Sequence, residues 1–291
     1  MATVPQVCKA FGISRAAYYA ASKDVPEQAE GGGAKVLRLP RPPRGTSAEV
    51  VLTAIREVLE ENPAWGVRKV WASLKREKGL RVGRRRVWAL MHAHGLVLAR
   101  DREPGETTRG HVVVPEPNRR LATDFTTAWT KEDGMVAVVP VIDCGCRSVL
   151  ALGVTKSQEA PDVLAPVERA LEAEYGTPDK VPEGLEVRSD HGPQYTGADA
   201  ARLLAFWGVL HTFAPVGRPT GNAVVERLIR TMKEEVVWLR DWKNAAELRA
   251  ALEEWVRRYN TRRPHQALDW KTPAEVRAEK LARPPPLREA A

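Results

Sequence analysis

Residues 121–154 of this 291-residue chain read LATDFTTAWTKEDGMVAVVPVIDCGCRSVLALGV, and this stretch decides the fold. Three runs within it, 121–129, 135–143 and 148–154, are rich in β-branched and apolar residues, and the polar segments between them are typical of turns. These runs predict three consecutive strands. The following residues predict a helix at about 158–175, a strand ending at Asp190, a helix at about 197–207, a strand at 209–213 and a long helix beginning near Asn222. The order β-β-β-α-β-α-β-α indicates an α/β fold in which helices pack on a mixed sheet.

The residues upstream of this region are strongly basic. The whole chain contains 45 Lys and Arg against 37 Asp and Glu, a formal charge of +8, which suggests a polyanionic partner. Residues 68–102 hold eleven of these cations and two acids, and their apolar spacing indicates two helices separated by a glycine-containing turn. We interpret this segment as a helix-turn-helix that binds DNA, with a purely structural helical hairpin as the alternative. The DNA-contacting residues predicted here are Arg68, Lys69, Lys75, Arg84, Arg85 and Arg86.

Changes of composition divide the chain into six predicted segments. Cys8, Cys144 and Cys146 are too few and too unevenly placed for a disulfide framework or a zinc site, so we expect reduced thiols and a cytoplasmic location. No apolar run is long enough to span a membrane, and no membrane partner is expected. The segments are an N-terminal helix-turn-helix-like segment (1–22), a linker (23–45), a basic helical DNA-binding domain (46–100, with Ser47 capping its first helix), a connector (101–118), an α/β core (119–243) and a C-terminal helix and tail (244–291).

Three carboxylates stand out in the α/β region. Asp124 lies inside an otherwise uncharged strand, Asp190 ends a strand, and Glu226 lies one turn into the last long helix, on a face expected to turn partly inward. A turn aspartate would explain Asp190 alone. Ligands of open sheets, however, gather where strand ends meet neighbouring loops, so we expect these three side chains to converge. Asp143 also lies at a strand end, and we favour a structural role for it over that of a fourth ligand.

Three converging carboxylates would repel one another and raise one another's pKa unless a cation lay among them. Oxygen ligands without His or Cys suit Mg²⁺ or Mn²⁺, which keep coordination positions open for a phosphate. Two such ions about 4 Å apart can hold both the attacking and the leaving oxygen of a displacement at phosphorus. The three acids therefore predict a site for divalent ions that act on a phosphodiester.

The order of several motifs points to a known family. The spacing of Asp124, Asp190 and Glu226, with thirty-five residues between the last two, resembles the DDE catalytic core of transposases and retroviral integrases, an RNase H-like fold. The segments ATDFT, SDHGPQYT, NAVVERLIRTMKEE and YNTRRPHQALDWKTPAE resemble, in that order, motifs of OrfB-type transposases of the third insertion-sequence family. Residues 65–96 resemble the helix-turn-helix that precedes that core, and the likeness covers roughly residues 5–280. The chain departs from the family pattern at His191 and Gly221.

This resemblance implies a function. It makes the three acids the metal ligands, for two Mg²⁺ or Mn²⁺ ions, of a transposase that binds the terminal inverted repeats of an insertion sequence and catalyses DNA strand cleavage and strand transfer. The implied partners are double-stranded DNA, as element ends and as target, and further copies of the chain in a homo-oligomer. An upstream reading frame can supply a fusion or a partner. Two alternatives stay open: a DNA-binding regulator on a catalytically silent transposase-derived core, and a plain RNase H-like nuclease.

Several polar residues near the three acids have two interpretations each. Glu226, Arg230 and Lys233 share one helix face, so the two bases either form a salt-bridge ladder with Glu226 or hold DNA phosphates beside it. His191 either contacts the DNA substrate or is a polar turn residue. We carry Arg230, Lys233 and His191 forward as predicted DNA contacts.

The C-terminal region predicts a capped helix followed by a tail. Asn244, with Glu247 three residues later, is typical of a helix N-cap. The tail either folds back on the core or binds the DNA of the element ends through Arg262 and Arg263. Four tryptophans fit the apolar stripes of helices better than they fit base stacking: Trp65, Trp71, Trp88 and Trp255.

Overall fold

The computed structural model describes residues 46–97, 113–214 and 222–282, all within one unit, Gly45–Ala291. The predicted segments 1–22 and 23–45 lie outside the described residues, as does the connector up to residue 112. Among the described residues, no helix combines the length and the apolar character that crossing a membrane requires. The two described cysteines, Cys144 and Cys146, are buried free thiols.

Three helices form the N-terminal part of the described chain: α1 (Ala48–Glu61), α2 (Val67–Arg76) and α3 (Arg84–Ala93). Ser47 caps α1 as predicted, since its hydroxyl accepts a hydrogen bond from the Val50 N–H at 3.3 Å. The apolar stripes of the three helices meet in one small core, because apolar residues at helical spacing all face the same side. The fully buried members of this core are Val51, Ile55, Val70, Leu74, Val87 and Met91.

The sheet has six strands and mixed pairing. Its strands are β1 (Arg120–Thr123), β2 (Thr126–Thr130), β3 (Gly134–Asp143), β4 (Val149–Thr155), β5 (Glu186–Ser189) and β6 (Leu210–Phe213). β3 pairs antiparallel with β1, β2 and β4, whereas β5 runs parallel to both β1 and β6. The predicted fold class is confirmed.

The first predicted strand is interrupted where Asp124 lies. β1 and β2 pair with the same strand, β3, and their register does not change across the break: Thr123 lies opposite Val141, and Thr126 lies opposite Val138. Only residues 124 and 125 leave the strand conformation. The sheet therefore continues on both sides of the candidate site, and the Asp124 carboxylate is carried by a local irregularity.

Helices cover both faces of the sheet, which explains why β3 is apolar along almost its whole length. Val136, Val138 and Ile142 of β3 pack with the C-terminal helices, whereas Val141 packs with the helices that follow β4. The helices after the first three are α4 (Ala160–Tyr175), α5 (Pro193–Thr196), α6 (Ala198–Phe206), α7 (Ala223–Glu235), α8 (Ala245–Thr261) and α9 (Pro273–Leu281), with 3₁₀ turns at Pro178–Lys180, Val237–Leu239 and Gln266–Leu268.

The C-terminal residues fold back on the core. Asn244 caps α8 as predicted, accepting a hydrogen bond from the Glu247 N–H at 3.0 Å. Arg277 of α9 donates a hydrogen bond to the buried Asp143 carboxylate at 3.1 Å and also contacts Glu174. Asp143 further accepts hydrogen bonds from three backbone N–H groups, those of residues 118, 145 and 146. Its predicted structural role is confirmed.

A buried carboxylate joins the three N-terminal helices to the core. Glu235, at the end of α7, has a side chain only 8% exposed. It pairs with Lys69 of α2 at 2.6 Å and with Arg263, beyond α8, at 3.0 Å, and it accepts a hydrogen bond from the Trp255 indole N–H at 3.1 Å. Glu235 thus links α2, near the start of the described residues, to the segment that follows α8, near their end.

Replacement of Glu235 with Gln is expected to lower the free energy of unfolding by about 3 to 5 kcal/mol, because Lys69 and Arg263 would lose their common counter-charge in a buried place. Urea unfolding at neutral pH measures this change. The matched control is Glu234→Gln, which removes an i,i+4 surface pair with Arg230 and should cost no more than about 0.5 kcal/mol. Equal costs for the two variants would contradict the structural importance of Glu235.

The same ion pair predicts an acid-dependent loss of stability. Burial favours protonation of Glu235, but the charges and hydrogen bonds of Arg263 and Lys69 outweigh it and lower the pKa to about 2. Because this folded-state pKa lies below the ordinary value of 4.5, the stabilisation is complete above pH 4.5 and is lost as the pH falls towards 2. The stability difference between wild type and Glu235→Gln should therefore shrink over that range. A difference that is independent of pH would contradict the pairing.

Candidate active site

Two of the three predicted acids lie at equivalent positions on adjacent parallel strands. β1 and β5 pair with a constant offset, as in Arg120 opposite Glu186, which are 66 residues apart. The same offset places Asp124, the first residue after β1, opposite Asp190, the first residue after β5. Neighbouring strands lie about 4.8 Å apart, so parallel pairing alone makes these carboxylates neighbours.

Asp124 is half-buried and lies in a negative electrostatic environment. Burial raises its pKa most, and the charges of Asp190 and Glu226 raise it further, whereas a hydrogen bond from the Phe125 N–H to Oδ1 at 2.8 Å opposes the shift. The net effect is a pKa of about 6. The three predicted acids therefore act on one another, as converging carboxylates should.

The turn after β5 orients Asp190. The Gly192 N–H donates a hydrogen bond to Asp190 Oδ1 at 3.0 Å, and the Ser189 hydroxyl donates to the Asp190 backbone carbonyl at 2.9 Å. A Cβ atom on residue 192 would lie 3.1 Å from Asp190 Oδ1, so a glycine at this position leaves the carboxylate undisturbed. Asp124 and Asp190 each bind a local N–H through Oδ1, which fixes both carboxylates at the strand ends.

Asn222 fastens the helix that carries the third acid to the end of β1. Its side-chain amide donates a hydrogen bond to the Thr123 carbonyl at 3.1 Å, one residue before Asp124. Asn222 is itself buried and directly precedes α7, so the first turn of α7 starts beside the strand end. Glu226 lies in that turn, and partial burial raises its pKa. On the helix face that was expected to turn partly inward, Ala223 and Ile229 are half-buried, whereas the Glu226 residue itself is exposed.

Three family models match the described fold. A model for an HTH-like domain matches residues 47–104, and two models for integrase core domains match residues 114–219 and 207–273. The transposase for insertion sequence element IS629 of Shigella sonnei is 33% identical over 235 residues, which cover 76% of this chain and 77% of that protein. The chain belongs to the DDE transposases of the third insertion-sequence family. It is a transposase, an enzyme that acts on DNA.

More distant proteins are similar to this transposase over most of its length or over its core. Transposase InsD for insertion element IS2 of Escherichia coli is 27% identical over 243 residues, 80% of this chain and 79% of that protein. Among solved structures, the catalytic core domain of BIV integrase is 23% identical with a TM-score of 0.43, covering 56% of this chain and 95% of that one. A simian T-cell lymphotropic virus intasome chain is 18% identical with a TM-score of 0.46, covering 81% and 78%.

The ligand atoms of the transposase site suit a hard divalent cation, but the three carboxylates lie too far apart in this structure to bind one ion together. Asp124, Asp190 and Glu226 offer only carboxylate oxygens, the ligand type that Mg²⁺ and Mn²⁺ prefer. Burial raises the pKa of Asp124 most and the charges of Asp190 and Glu226 add to the rise, and a cation would relieve this repulsion. Among the residues that the structure describes, however, no three His, Cys, Asp or Glu side chains are grouped closely enough to hold a metal. Of the three acids, Asp124 and Asp190 are half-buried and Glu226 is exposed.

The predicted DNA contacts on α2 and α3 fall into two groups. Lys75 is exposed, as is the whole Arg84–Arg86 run at the start of α3. Trp88, predicted to lie in the helix core, is 53% exposed instead and stacks on His92 with ring centroids 4.3 Å apart. Lys69 differs from this exposed group, because its ammonium group is engaged by Glu235. The exposed basic surface of the helix-turn-helix is therefore on α3, where Arg84–Arg86 and Trp88 are exposed.

The predicted contacts near the three acids are also of two kinds. Arg230 pairs with Glu234 at 3.0 Å, and Lys233 lies 5.9 Å from the Trp238 ring, so neither forms the suggested ladder with Glu226. His191 is exposed and stacks on Phe213 with ring centroids 4.9 Å apart. Contact of these three side chains with DNA stays a prediction.

The two arginines of the predicted tail have different environments. Arg262 is exposed. Arg263 is only 7% exposed and is bonded to Glu235, so of the two alternatives for the tail the structure has the one that folds back on the core, and contact of Arg263 with DNA stays a prediction. The folded-back segment also contacts α2: Gln266 accepts a hydrogen bond from Arg68 at 3.0 Å, and Trp270 packs edge-on against Trp71 with ring centroids 5.8 Å apart.

Sequence reasoning missed the residues that position the acids. Asn222 was recognised only as the start of a helix, and nothing in the sequence shows that its amide binds the end of β1. Glu235 is the second acid of a Lys-Glu-Glu run that resembles a solvated helix end. Only its burial, together with the two cations that reach it, distinguishes it from Glu234.

The raised pKa of Asp124 predicts how the site titrates in protein free of metal. Carbon-13 NMR of the carboxyl groups should show Asp124 titrating near pH 6. Both Asp190→Asn and Glu226→Gln should lower this pKa, because each removes a negative charge that favours protonation. Glu168→Gln, which changes an exposed acid on α4, should leave it unchanged. If Asp190→Asn does not move the pKa, the two carboxylates are not neighbours.

Proposed function

We propose that Asp124, Asp190 and Glu226 are the catalytic carboxylates of this transposase. One observation carries the proposal: parallel pairing of β1 with β5 places two of them side by side, and the pKa of Asp124 responds to both other acids. They would hold Mg²⁺ or Mn²⁺, two ions per site, and such ions would activate the attacking oxygen and stabilise the leaving one. The chain's own residues bind and orient: Gly192 holds Asp190, and Asn222 holds the start of the helix that carries Glu226.

The chemistry consists of two displacements at phosphorus. In the first, a water oxygen forms a bond to phosphorus, the bond from phosphorus to the 3′ oxygen breaks, and that oxygen leaves as the 3′-hydroxyl of the element end. In the second, this hydroxyl forms a bond to a phosphorus of the target strand, and the target's own 3′ oxygen leaves. The protein forms no covalent bond to DNA, so the site requires positioned carboxylates and no nucleophilic side chain.

The helices upstream of the core provide DNA binding in this proposal. The exposed arginines at the start of α3 contact the terminal inverted repeats, because the first turn of such a helix meets the groove and its phosphates. Lys75, Arg68 and Arg262 add backbone contacts, and His191, Arg230 and Lys233 add contacts near the scissile strand. Because two element ends must be joined to one target, we infer that a homo-oligomer forms on DNA. We place this assembly in the cytoplasm. An upstream reading frame supplies a fusion or a partner in this proposal.

Variants of the three acids test the assignment. Asp190→Asn and Glu226→Gln should retain binding to DNA that carries the element's ends, yet lose strand cleavage and joining by at least about a hundredfold, because each removes one of the carboxylates that act on the transferred phosphorus. Gel shifts measure binding, and labelled 3′-OH ends with Mg²⁺ or Mn²⁺ measure joining.

The controls separate the competing functions. Asp162→Asn and Glu168→Gln change exposed acids on α4, and both should behave like wild type. Near-normal joining by Asp190→Asn or Glu226→Gln would refute the catalytic assignment. A wild-type protein that binds DNA but never cleaves it with either metal would favour the regulator, and one that cleaves without joining would favour the nuclease.

A further inference from the structure

A cavity of about 540 Å³ lies beside the candidate active site. Its wall combines the N-terminal end of α2, the first turns of α7 and the folded-back segment 263–270. Asn222 belongs to this wall, and its side chain is bonded to the Thr123 carbonyl next to Asp124. The volume lies within the range of ligand sites, about 300 to 1,000 Å³. Asp124, Asp190 and Glu226 are not among the lining residues, so Asn222 is the link between a ligand in the cavity and these acids.

The cavity is strongly cationic. Seven Lys or Arg side chains line it, and none of the lining residues that the structure describes is Asp or Glu. Two carboxylates outside the lining offset part of this charge: Glu186 pairs with Arg120 at 2.7 Å, and Glu235 pairs with Lys69 and Arg263. The seven lining cations outnumber these two carboxylates.

The remaining lining cations point to an anionic ligand. Arg68 is bonded to the Gln266 amide, which is neutral. Arg188 Nε donates a hydrogen bond to the Thr212 hydroxyl at 3.2 Å, and the Glu186 charge also acts on it. Arg147 and Arg227 form no ion pair within residues 46–97, 113–214 and 222–282. Guanidinium groups in such a cluster offer the planar donor forks that bind phosphate oxygens in pairs.

The imidazole of His265 lies in the same wall, with Arg263 Nη1 3.2 Å from its Nε2. Burial lowers the pKa of His265, and the neighbouring Arg263 and Lys69 lower it further, to well below 6.5, although Glu235 opposes them. His265 is therefore not counted among the cations of the wall.

We propose that this cavity binds two or more adjacent phosphate groups. Its volume admits several of them, and its six arginines come from six separate parts of the chain that converge only in the fold. The phosphates belong either to a DNA strand on its way to Asp124 and Asp190, which rests on the function proposed above, or to a free polyphosphate. If the ligand is a DNA strand, binding of its phosphates in the cavity determines which of the two strands is presented to Asp124 and Asp190.

Two single variants and one matched control test the site in the full chain. Arg147→Gln and Arg227→Gln each remove a lining cation that has no ion pair in the described residues, so neither should unfold the protein. Arg202→Gln removes an exposed cation of α6, outside the cavity, whose partner is Asp199. Inorganic tripolyphosphate is titrated by calorimetry, and a short fluorescein-labelled DNA duplex is titrated by anisotropy at several salt concentrations. Both titrations are made without divalent metal, so that they do not depend on catalysis by the three acids.

The expected result is that each cavity variant weakens tripolyphosphate binding about tenfold, as the loss of one charged hydrogen-bond donor predicts, while Arg202→Gln binds like wild type. If the ligand is a DNA strand, the same variants also weaken duplex binding and reduce its salt dependence by about one counterion each. Weakened tripolyphosphate binding with unchanged DNA binding would identify a free polyphosphate as the ligand. The proposal is overturned if the wild-type protein binds no tripolyphosphate and the cavity variants bind DNA like Arg202→Gln, since the cavity would then be only a gap between packed segments.

Discussion

The parallel pairing of β1 with β5 is the constraint on which the site depends. Residues at one register of adjacent parallel strands are neighbours whatever follows them, so the first residues after both strands, Asp124 and Asp190, lie side by side although the chain between them is long. The antiparallel partner β3 holds the other edge of β1 and keeps its register across the break at Asp124. The carboxylates are thus positioned by backbone hydrogen bonds of the sheet, which are buried and rigid, and their orientation needs only one local N–H bond each.

Charge is distributed unevenly around this strand end. Acids lie on one side, where burial and, to a smaller extent, the charges of Asp190 and Glu226 raise the pKa of Asp124, and arginines line the cavity on the other side. The Asn222 amide, bonded to Thr123, lies at the boundary between the two. A phosphodiester is itself negative, and it would approach three carboxylates more readily with cations close by. Glu235 shows the opposite use of charge, since its two cations are fully occupied in joining the N-terminal helices to the core.

Features that depend on short stretches of sequence were predictable, and features that depend on distant contacts were not. Ser47 and Asn244 act as caps as their neighbours suggested, because a cap bonds an N–H only three residues away. The sequence left open whether the tail of Arg263 folds back, and the structure shows that its segment turns back onto α2 and buries Arg263. Trp88 was expected in a helix core, yet the three-helix unit is too small to cover every face of α3 and leaves this ring exposed.

Sequence patterns alone were enough to predict the order of strands and helices, the fold class and the transposase family, because apolar periodicity and short motifs are local properties of the chain. They also singled out Asp124, Asp190 and Glu226 as candidate ligands, but not their surroundings. The exposure of Glu226, the bond from Asn222 to the end of β1, and the cavity shared by Arg147, Arg188 and Arg227 became apparent only in the folded structure. The physical reason is that side-chain environment depends on what packs against each element, and those partners come from parts of the chain that no local pattern connects.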